Sequence, residues 1–143
     1  MENNAIKIIR DMDHSIREYI SNGNDPKKSL NFTQFRVLAY LFAHQDEEVC
    51  QKDLEVETNL KKASITGVID YLESKDLVKR EVAKDDKRRN IIALTEKTRD
   101  IKEHVEYRLK DVEAKMIENI NKEDLDVFFK VMNQMYENIR KVN

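Results

Sequence analysis

Helix breakers, cysteines and long apolar runs are all scarce in this 143-residue chain. It contains only two Gly and one Pro, a composition that favours helix. No run of about 18 apolar residues is present, so we expect no membrane-spanning helix. The N-terminal segment MENNAIKIIRDMDHS lacks the uninterrupted apolar stretch and the small-residue cleavage site of a signal peptide. These absences predict a cytoplasmic protein.

Residues that could support catalysis or bind a metal are also few. The single cysteine, Cys50, cannot form an internal disulfide, which fits a reducing compartment. Cys50 precedes a predicted helix, where a thiol can become reactive, although a lone cysteine commonly serves in packing. His14, His44 and His104 lie far apart and show no metal-ligand spacing. No Gly-rich phosphate loop, nucleophile elbow or Ser/His/Asp arrangement is visible, so we expect no enzyme, no cofactor and no metal.

Charge is unevenly distributed along the chain. The formal net charge of −2 argues by itself against a nucleic-acid-binding protein. Residues 61–99, however, contain eleven Lys or Arg and seven Asp or Glu, a balance of +4, which leaves −6 for the remainder. A basic middle between acidic ends predicts a local anion-binding surface that the overall charge hides.

Apolar spacing predicts helices at both ends of the chain. Residues 4–21 repeat apolar positions every three or four residues, which indicates an amphipathic helix. Ser21 to Ser29 has the composition of a loop, and Thr33 is the expected N-cap of the next helix. We expect these terminal helices to share a core with a second copy of the chain, since they contain more apolar residues than a small core needs.

The C-terminal third is predicted to be helical again from Thr95 onward. Apolar residues recur at three- and four-residue steps as far as Ile120. Asn121 followed by Asp124 is typical of a capping arrangement that opens a last helix.

The middle of the chain predicts a helix-turn-helix followed by a β-hairpin. A short helix from about Cys50 to Glu57 and a second helix of about 61–74 are separated by a few residues of turn. Then LVKREVA and RRNIIAL, rich in β-branched residues, flank KDDK and indicate two strands joined by a tight connection.

Two parts of this middle region carry candidate binding residues. The second helix opens with small and polar residues, as expected of a recognition helix whose N-terminal side chains contact base edges. The hairpin tip carries basic residues that could enter a narrow minor groove. Both features could equally be solvated surface, and the Asp residues of the tip could form a turn or orient an arginine. The residues in question are Lys61, Lys62, Ala63, Ser64 and Thr66 in the helix, and Lys84, Asp85, Asp86, Lys87, Arg88 and Arg89 in the hairpin.

Three motifs resemble the MarR family of bacterial winged-helix transcriptional regulators, and the resemblance as a whole extends over essentially the full length of the chain. Asp86-Lys87-Arg88, followed by Asn90 to Lys97, is similar to the family's wing. Ala63 to Thr66 with Leu72 to Arg80 resembles the recognition helix and its exit into the wing. Thr33 to Leu38 resembles the second helix of the family.

The resemblance implies a mainly α fold (an α+β winged helix) in which N- and C-terminal helices form a dimerisation region. It divides the chain into 1–30, a dimerisation helix and loop; 31–98, the winged helix-turn-helix with a wing of about 77–95; and 99–143, further dimerisation helices. It implies a homodimeric, sequence-specific DNA-binding regulator, in many members a repressor that binds a palindromic operator. Release by a small aromatic effector near the dimer interface is common in the family.

The resemblance also assigns roles to individual residues. Arg88 would enter the minor groove with Asp86 as its orienting partner, while Lys87 and Arg89 would contact phosphates. Ser64 and Thr66 would meet the major groove beside Lys61 and Lys62, and Gln51 would contact a phosphate. Cys50 lies outside the first helix, where oxidant-sensing members keep their reactive cysteine, so that chemistry is not implied.

Two positions depart from the family pattern. Gly67 stands where many members have a larger, often basic residue, which removes a base contact and about 1 kcal/mol of helix propensity relative to Ala. Asp76 stands where the family usually has Gly, although Asp tolerates the left-handed conformation better than most residues.

Two other functions remain open on the sequence. A winged helix can bind a protein through the surface that would otherwise bind DNA. A ligand-binding or enzymatic protein is the third alternative, since aromatic residues could line a pocket between helices instead of packing in a core. The aromatic residues concerned are Tyr19, Tyr40, Tyr107, Phe128 and Tyr136.

Overall fold

The computed structural model describes residues 4–22 and 30–141 of the chain. The fold is mainly helical with a two-stranded antiparallel sheet, as predicted. None of the described helices is long and apolar enough to cross a membrane. Most of the predicted Ser21 to Ser29 loop lies outside the described residues. In chain order the elements are α1 (Ala5–Ser21), α2 (Phe32–Ala43), α3 (Gln51–Thr58), α4 (Lys62–Ser74), β1 (Val78–Val82), β2 (Asn90–Leu94), a 3₁₀ helix (Glu96–Ile101), α5 (Lys102–Ile117) and α6 (Lys122–Arg140).

The chain divides into two compact units, with the boundary after Lys110 inside α5. The first unit contains the helix-turn-helix, the hairpin and most of the buried apolar side chains. Its fully buried residues come from α1, α2, α3, α4, β1, the 3₁₀ helix and α5, and include Ile20, Phe35, Leu38, Leu54, Ile65, Ile69, Leu72, Val78, Thr98 and Val105. The functional division at residues 30 and 98 stays a prediction.

Helix α2 begins earlier than the sequence suggested. Asn31 Oδ1 accepts a hydrogen bond from Gln34 N at 2.9 Å, and Gln34 Oε1 accepts one from Asn31 N at 2.9 Å. The prediction of Thr33 as the N-cap is therefore wrong. The reciprocal bonds satisfy two backbone groups at once, and the position of Gln34 three residues after Asn31 selects Asn31 as the cap.

The turn between α3 and α4 is short because one residue adopts a left-handed conformation. Asn59, the C-cap of α3, has φ 55°, and Lys61 is already the N-cap of α4. Asn adopts this conformation more readily than most residues because its short polar side chain can hydrogen-bond the local backbone. The predicted helix-turn-helix is present, with α3 one residue longer at its C-terminal end than expected.

The hairpin pairs Val78 with Leu94 and Val82 with Asn90. Asp76 precedes β1 and has φ 58°. This is the left-handed conformation that we expected Asp to tolerate where the family usually has Gly. The other edge of β2 is also covered, because Ile92 N donates to Val49 O at 2.7 Å and Cys50 forms a β-bridge with Ile91. The segment before α3 therefore ties the start of the helix-turn-helix to the hairpin.

The predicted return of helix at Thr95 occurs in two stages. Residues Glu96–Ile101 form a 3₁₀ helix, and α-helix starts only at Lys102. Thr98 is fully buried, and both its backbone N–H and its hydroxyl bond Thr95 O, the backbone bond at 3.2 Å. This local hydrogen bonding favours the tighter helix over the first turns.

In the second unit, α6 opens as the sequence predicted. Asn121 is the N-cap, and its Oδ1 accepts a hydrogen bond from Asp124 N at 2.8 Å. No described residue of α6 is buried. Several large apolar side chains of α6 are exposed instead, among them Val127, Phe128, Phe129, Val131, Tyr136 and Ile139.

Candidate nucleic-acid interface

Helix α4 separates an apolar inner face from a small and polar outer face. Ile65, Ile69 and Leu72 are fully buried. The exposed residues at the leading end are Lys61, Lys62, Ala63 and Ser64, four of the five residues that the sequence singled out in this helix. The leading end of the predicted recognition helix is therefore solvent-accessible.

Gly67 lies on the same exposed face of α4. A Cβ added at Gly67 would meet no heavy atom within 4 Å, and φ at this residue is not positive. Neither backbone conformation nor packing inside the first unit therefore requires glycine at this position.

Gln51 and Thr66, predicted to contact different parts of a duplex, are bonded to each other. Gln51 Nε2 donates to Thr66 Oγ1 at 2.9 Å, and Thr66 Oγ1 donates to Lys62 O at 2.9 Å. The first residue of α3 is thus held against the first turns of α4. Thr66 is only partly exposed, whereas Ser64 is exposed.

At the tip of the hairpin, Asp86 and Arg88 form the pair predicted from the sequence. Asp86 Oδ1 accepts hydrogen bonds from Arg88 N at 2.9 Å and from Arg88 Nε at 3.3 Å. The side chain of Arg88 is nevertheless 93% exposed. Its guanidinium therefore projects into solvent while one edge is oriented by the carboxylate.

Arg89 differs from its neighbour because its guanidinium is held by two carboxylates. Arg89 Nη2 lies 2.8 Å from Glu48 Oε2 and 3.1 Å from Asp85 Oδ1. Lys84 and Lys87 are exposed at the same tip. A phosphate contact by Arg89 would therefore use Nη1 or Nε, or would require one of these ion pairs to open.

Arg80, on β1, is a residue of this surface that the sequence did not single out. Its guanidinium contacts Asp70 and Glu73 of α4, at 2.5 Å and 2.7 Å. The acids stand three residues apart on a helix, a spacing that places both on one side. From the sequence, this spacing could have indicated that Asp70 and Glu73 share a basic partner, but it could not have shown that the partner is Arg80 on β1.

Lys79 and Tyr40 are two ionisable residues of the first unit whose pKa values are shifted. The hydrogen bond to Glu81 raises the pKa of Lys79, which stays charged well above neutral pH. Burial raises the pKa of the Tyr40 phenol, and the carboxylate of Asp53 raises it further. Tyr40 is therefore a neutral hydroxyl at physiological pH.

A cleft of about 500 Å³ opens beside Tyr40 in the first unit. Arg36, Tyr40, His44 and Glu57 provide its polar groups, together with Ala39, Ala43 and Leu109. The Tyr40 and His44 rings stack with centroids 3.9 Å apart. Within residues 4–22 and 30–141, no group of three or more His, Cys, Asp or Glu side chains could hold a metal ion.

Cys50 forms the N-cap of α3 and is half-buried. Asp53 Oδ2 accepts hydrogen bonds from Cys50 N at 2.9 Å and from the thiol Sγ at 3.2 Å. Cys50 therefore has a structural role, because its bonds to Asp53 fix the N-terminal end of α3, the first helix of the helix-turn-helix.

A helix-turn-helix followed by an exposed two-stranded wing defines the winged-helix class of proteins. The family model described as transcriptional regulator SarA/Rot matches residues 20–105 of the chain. The chain belongs to this SarA/Rot family.

Characterised relatives and solved structures agree with this class. The HTH-type transcriptional repressor YetL of Bacillus subtilis (strain 168) is 28% identical over 133 residues, which are 92% of this chain and 76% of YetL. The crystal structure of the transcription regulator MarR from Oenococcus oeni PSU-1 is 26% identical, with a TM-score of 0.70, and the match covers 92% of this chain and 96% of that one. The S. aureus MepR–DNA complex has a TM-score of 0.89 at 20% identity, covering 96% and 99%. The predicted MarR resemblance is confirmed.

Proposed function

We propose that this regulator is a sequence-specific DNA-binding repressor that acts as a homodimer on a palindromic operator. The pair of Asp86 and Arg88 supports this proposal most directly. A guanidinium that is oriented by a carboxylate and still 93% exposed is suited to a negatively charged partner. The negative electrostatic potential of DNA is strongest in a narrow minor groove, and one arginine side chain can enter such a groove.

The leading end of α4 provides the second part of the proposed interface. Lys61, Lys62 and Ser64 are exposed there, and Thr66 is partly exposed. In a helix-turn-helix, the N-terminal residues of the second helix contact base edges in the major groove. Gln51, bonded to Thr66, would contact a phosphate at the edge of the groove, and Lys87 would contact another beside the wing. For Arg89 the proposed phosphate contact would compete with Glu48 and Asp85 for the guanidinium.

The MepR and YetL comparisons support the same proposal. MepR has this fold in a complex with DNA, and YetL is a repressor. We carry DNA binding and repression over to this chain because the interface residues stand on the elements that the winged-helix class uses for DNA.

The homodimer is proposed from the terminal helices. Exposed apolar residues of α1 include Ile6, Ile9 and Met12, and those of α6 include Phe128 and Ile139. Apolar surface of this extent on two amphipathic helices is unfavourable in water, and burial against a second copy removes it. A two-fold dimer presents two wings and two recognition helices, which match the two halves of a palindrome.

We further propose that a small aromatic effector near the dimer interface controls release from DNA. The cleft beside Tyr40 offers the aromatic surface of the stacked Tyr40 and His44 rings and the guanidinium of Arg36, which an acidic ligand would have to draw from Glu57, 3.8 Å away. Arg36 also donates to Glu57 O in α3, so a ligand that recruits Arg36 would act on the helix-turn-helix directly.

Selection of bound duplexes from a pool of genomic fragments tests the proposed function. We expect recovery of a fragment that contains an inverted repeat, protected at both halves in a footprint. Screening that duplex for release by aromatic acids then tests the effector. If no duplex is bound even at low salt, DNA binding is wrong and a protein-binding winged helix is the better explanation.

A further inference from the structure

Arg80 connects the first strand of the wing to the recognition helix. Its Nη1 lies 2.7 Å from Glu73 Oε1, and its Nη2 lies 2.5 Å from Asp70 Oδ1. The backbone N–H of Arg80 also donates to Glu73 Oε2 at 3.3 Å. One strand residue thus makes three polar contacts with α4.

Exposure separates Arg80 from the other arginines of the wing. Its side chain is 27% exposed, against 43% for Arg89 and 93% for Arg88. The two terminal nitrogens of Arg80 donate to different carboxylates, which the planar fork of a guanidinium allows and a lysine ammonium cannot reproduce. A phosphate would therefore compete with two carboxylates for the guanidinium of Arg80.

The acids that hold Arg80 stand on the helix proposed to enter the major groove. Asp70 and Glu73 are 61% and 44% exposed at their side chains. Carboxylates on such a helix repel phosphates and so weaken DNA binding, unless another interaction of the carboxylates compensates. The ion pairs to Arg80 neutralise much of that charge and restrain the helix relative to the wing.

We propose that Arg80 is a positioning residue. It acts through Asp70 and Glu73 to hold the wing and the recognition helix in one relative arrangement, and it makes no contact with DNA itself. This proposal rests on the proposed function. Loss of the tether should also affect the protein without DNA, since the hairpin would then be held by the Leu77 N to Leu72 O bond, the buried Val78 and the segment before α3.

The first test compares Arg80→Gln with Lys79→Gln in duplex binding as a function of salt. Lys79 is the adjacent residue of β1, carries the same charge and forms an ion pair with Glu81, a residue of its own strand. We expect Arg80→Gln to weaken binding roughly tenfold. We expect its salt slope to stay within about half a unit of the wild-type slope, because no phosphate contact is lost. Lys79→Gln should bind nearly as the wild type does.

In the second test, a positioning role and a purely electrostatic role of the two acids predict opposite changes in DNA affinity. Removing two acids from a DNA-binding helix should strengthen binding if charge alone matters. If Arg80 acts by position, the double variant Asp70→Asn with Glu73→Gln should weaken binding although the chain loses two negative charges. Tighter binding by this variant would overturn the proposal, as would wild-type affinity of Arg80→Gln or a salt slope shallower by about one unit.

A distance measurement in the free protein separates failure of this proposal from failure of DNA binding. Nitroxide labels at Lys84→Cys and Ala63→Cys, in a Cys50→Ser background, report the separation of the wing from α4. We expect the Arg80→Gln substitution to broaden the distance distribution, and an unchanged distribution contradicts the tether. A wild-type chain that binds no duplex refutes the proposed function together with the role of Arg80 in DNA binding, while broadening would still show the tether.

Discussion

The carboxylate of Asp86 accepts hydrogen bonds from both the backbone and the side chain of Arg88, at 2.9 Å and 3.3 Å. The two residues are separated by one position, so a tight turn is sufficient to bring them together. Such an Asx-type turn fixes the backbone of the wing tip and the first part of the arginine side chain at the same time. The guanidinium is therefore oriented before any partner arrives.

Arg88→Ala should weaken duplex binding by about tenfold or more, as expected for loss of a groove-inserted arginine. The slope of log affinity against log salt should become shallower by about one unit because one cation no longer displaces counterions. A fluorescence titration at several salt concentrations measures both. Arg10→Ala, which removes an exposed arginine of α1, is the matched control and should change neither. Unchanged affinity and slope for Arg88→Ala would show that the wing does not contact DNA.

Asp86→Ala should also weaken binding, although it removes a negative charge from the wing. Without the carboxylate, the Arg88 side chain is no longer oriented in the free protein, so binding has to include the entropy cost of ordering it. The salt slope should stay close to that of the wild type, which the same titration shows. Asp126→Ala on α6 removes an equal charge from an exposed position and should have no effect. Tighter binding by Asp86→Ala would mean that the carboxylate only repels DNA.

Gly67→Ala should raise the free energy of unfolding by about 1 kcal/mol. The added methyl group meets no atom within 4 Å, so the gain in helix propensity carries no packing cost. Urea denaturation measures the change, and the reverse substitution Ala63→Gly on the same exposed face should lower stability by a similar amount. A destabilised Gly67→Ala protein would indicate that the backbone of α4 is held in a conformation that excludes a side chain.

Asn31→Ala should lower the free energy of unfolding by about 1 kcal/mol, the usual cost of losing an N-cap. Both bonds of the capping box with Gln34 would be affected, since each depends on the position of the other. Thr33→Ala is the informative control because sequence reasoning placed the cap there. Thermal melts should show a clear loss for Asn31→Ala and little change for Thr33→Ala. The opposite pattern would place the helix start at Thr33 after all.

Phe128→Arg should shift the protein from dimer to monomer in sedimentation velocity experiments. Phe128 is half-exposed on the apolar stripe of α6, and a charge there would have to be desolvated in an interface. Asp126→Arg introduces the same side chain two residues away at an exposed position and should leave the dimer intact. If Phe128→Arg remains a dimer, the proposed interface does not use this part of α6.

Several features followed from the sequence because they depend on neighbouring residues. The order of helices and strands follows from apolar periodicity, and the Asp86–Arg88 pair and the Asn121 cap join residues two and three positions apart. The error at Thr33 also concerns local structure, since the reciprocal bonds with Gln34 place the helix start two residues earlier, at Asn31.

The sequence by itself determined a winged helix-turn-helix with amphipathic helices at both ends, since local turns, caps and period are encoded in adjacent residues. Only the tertiary structure decided which charges are available on its surface. Arg80 meets Asp70 across ten residues, Gln51 meets Thr66 across fifteen, and Arg89 meets Glu48 across forty-one. These pairs form because the hairpin docks against α4 and the start of α3. Such docking depends on buried surfaces far apart in the chain, which no local pattern specifies.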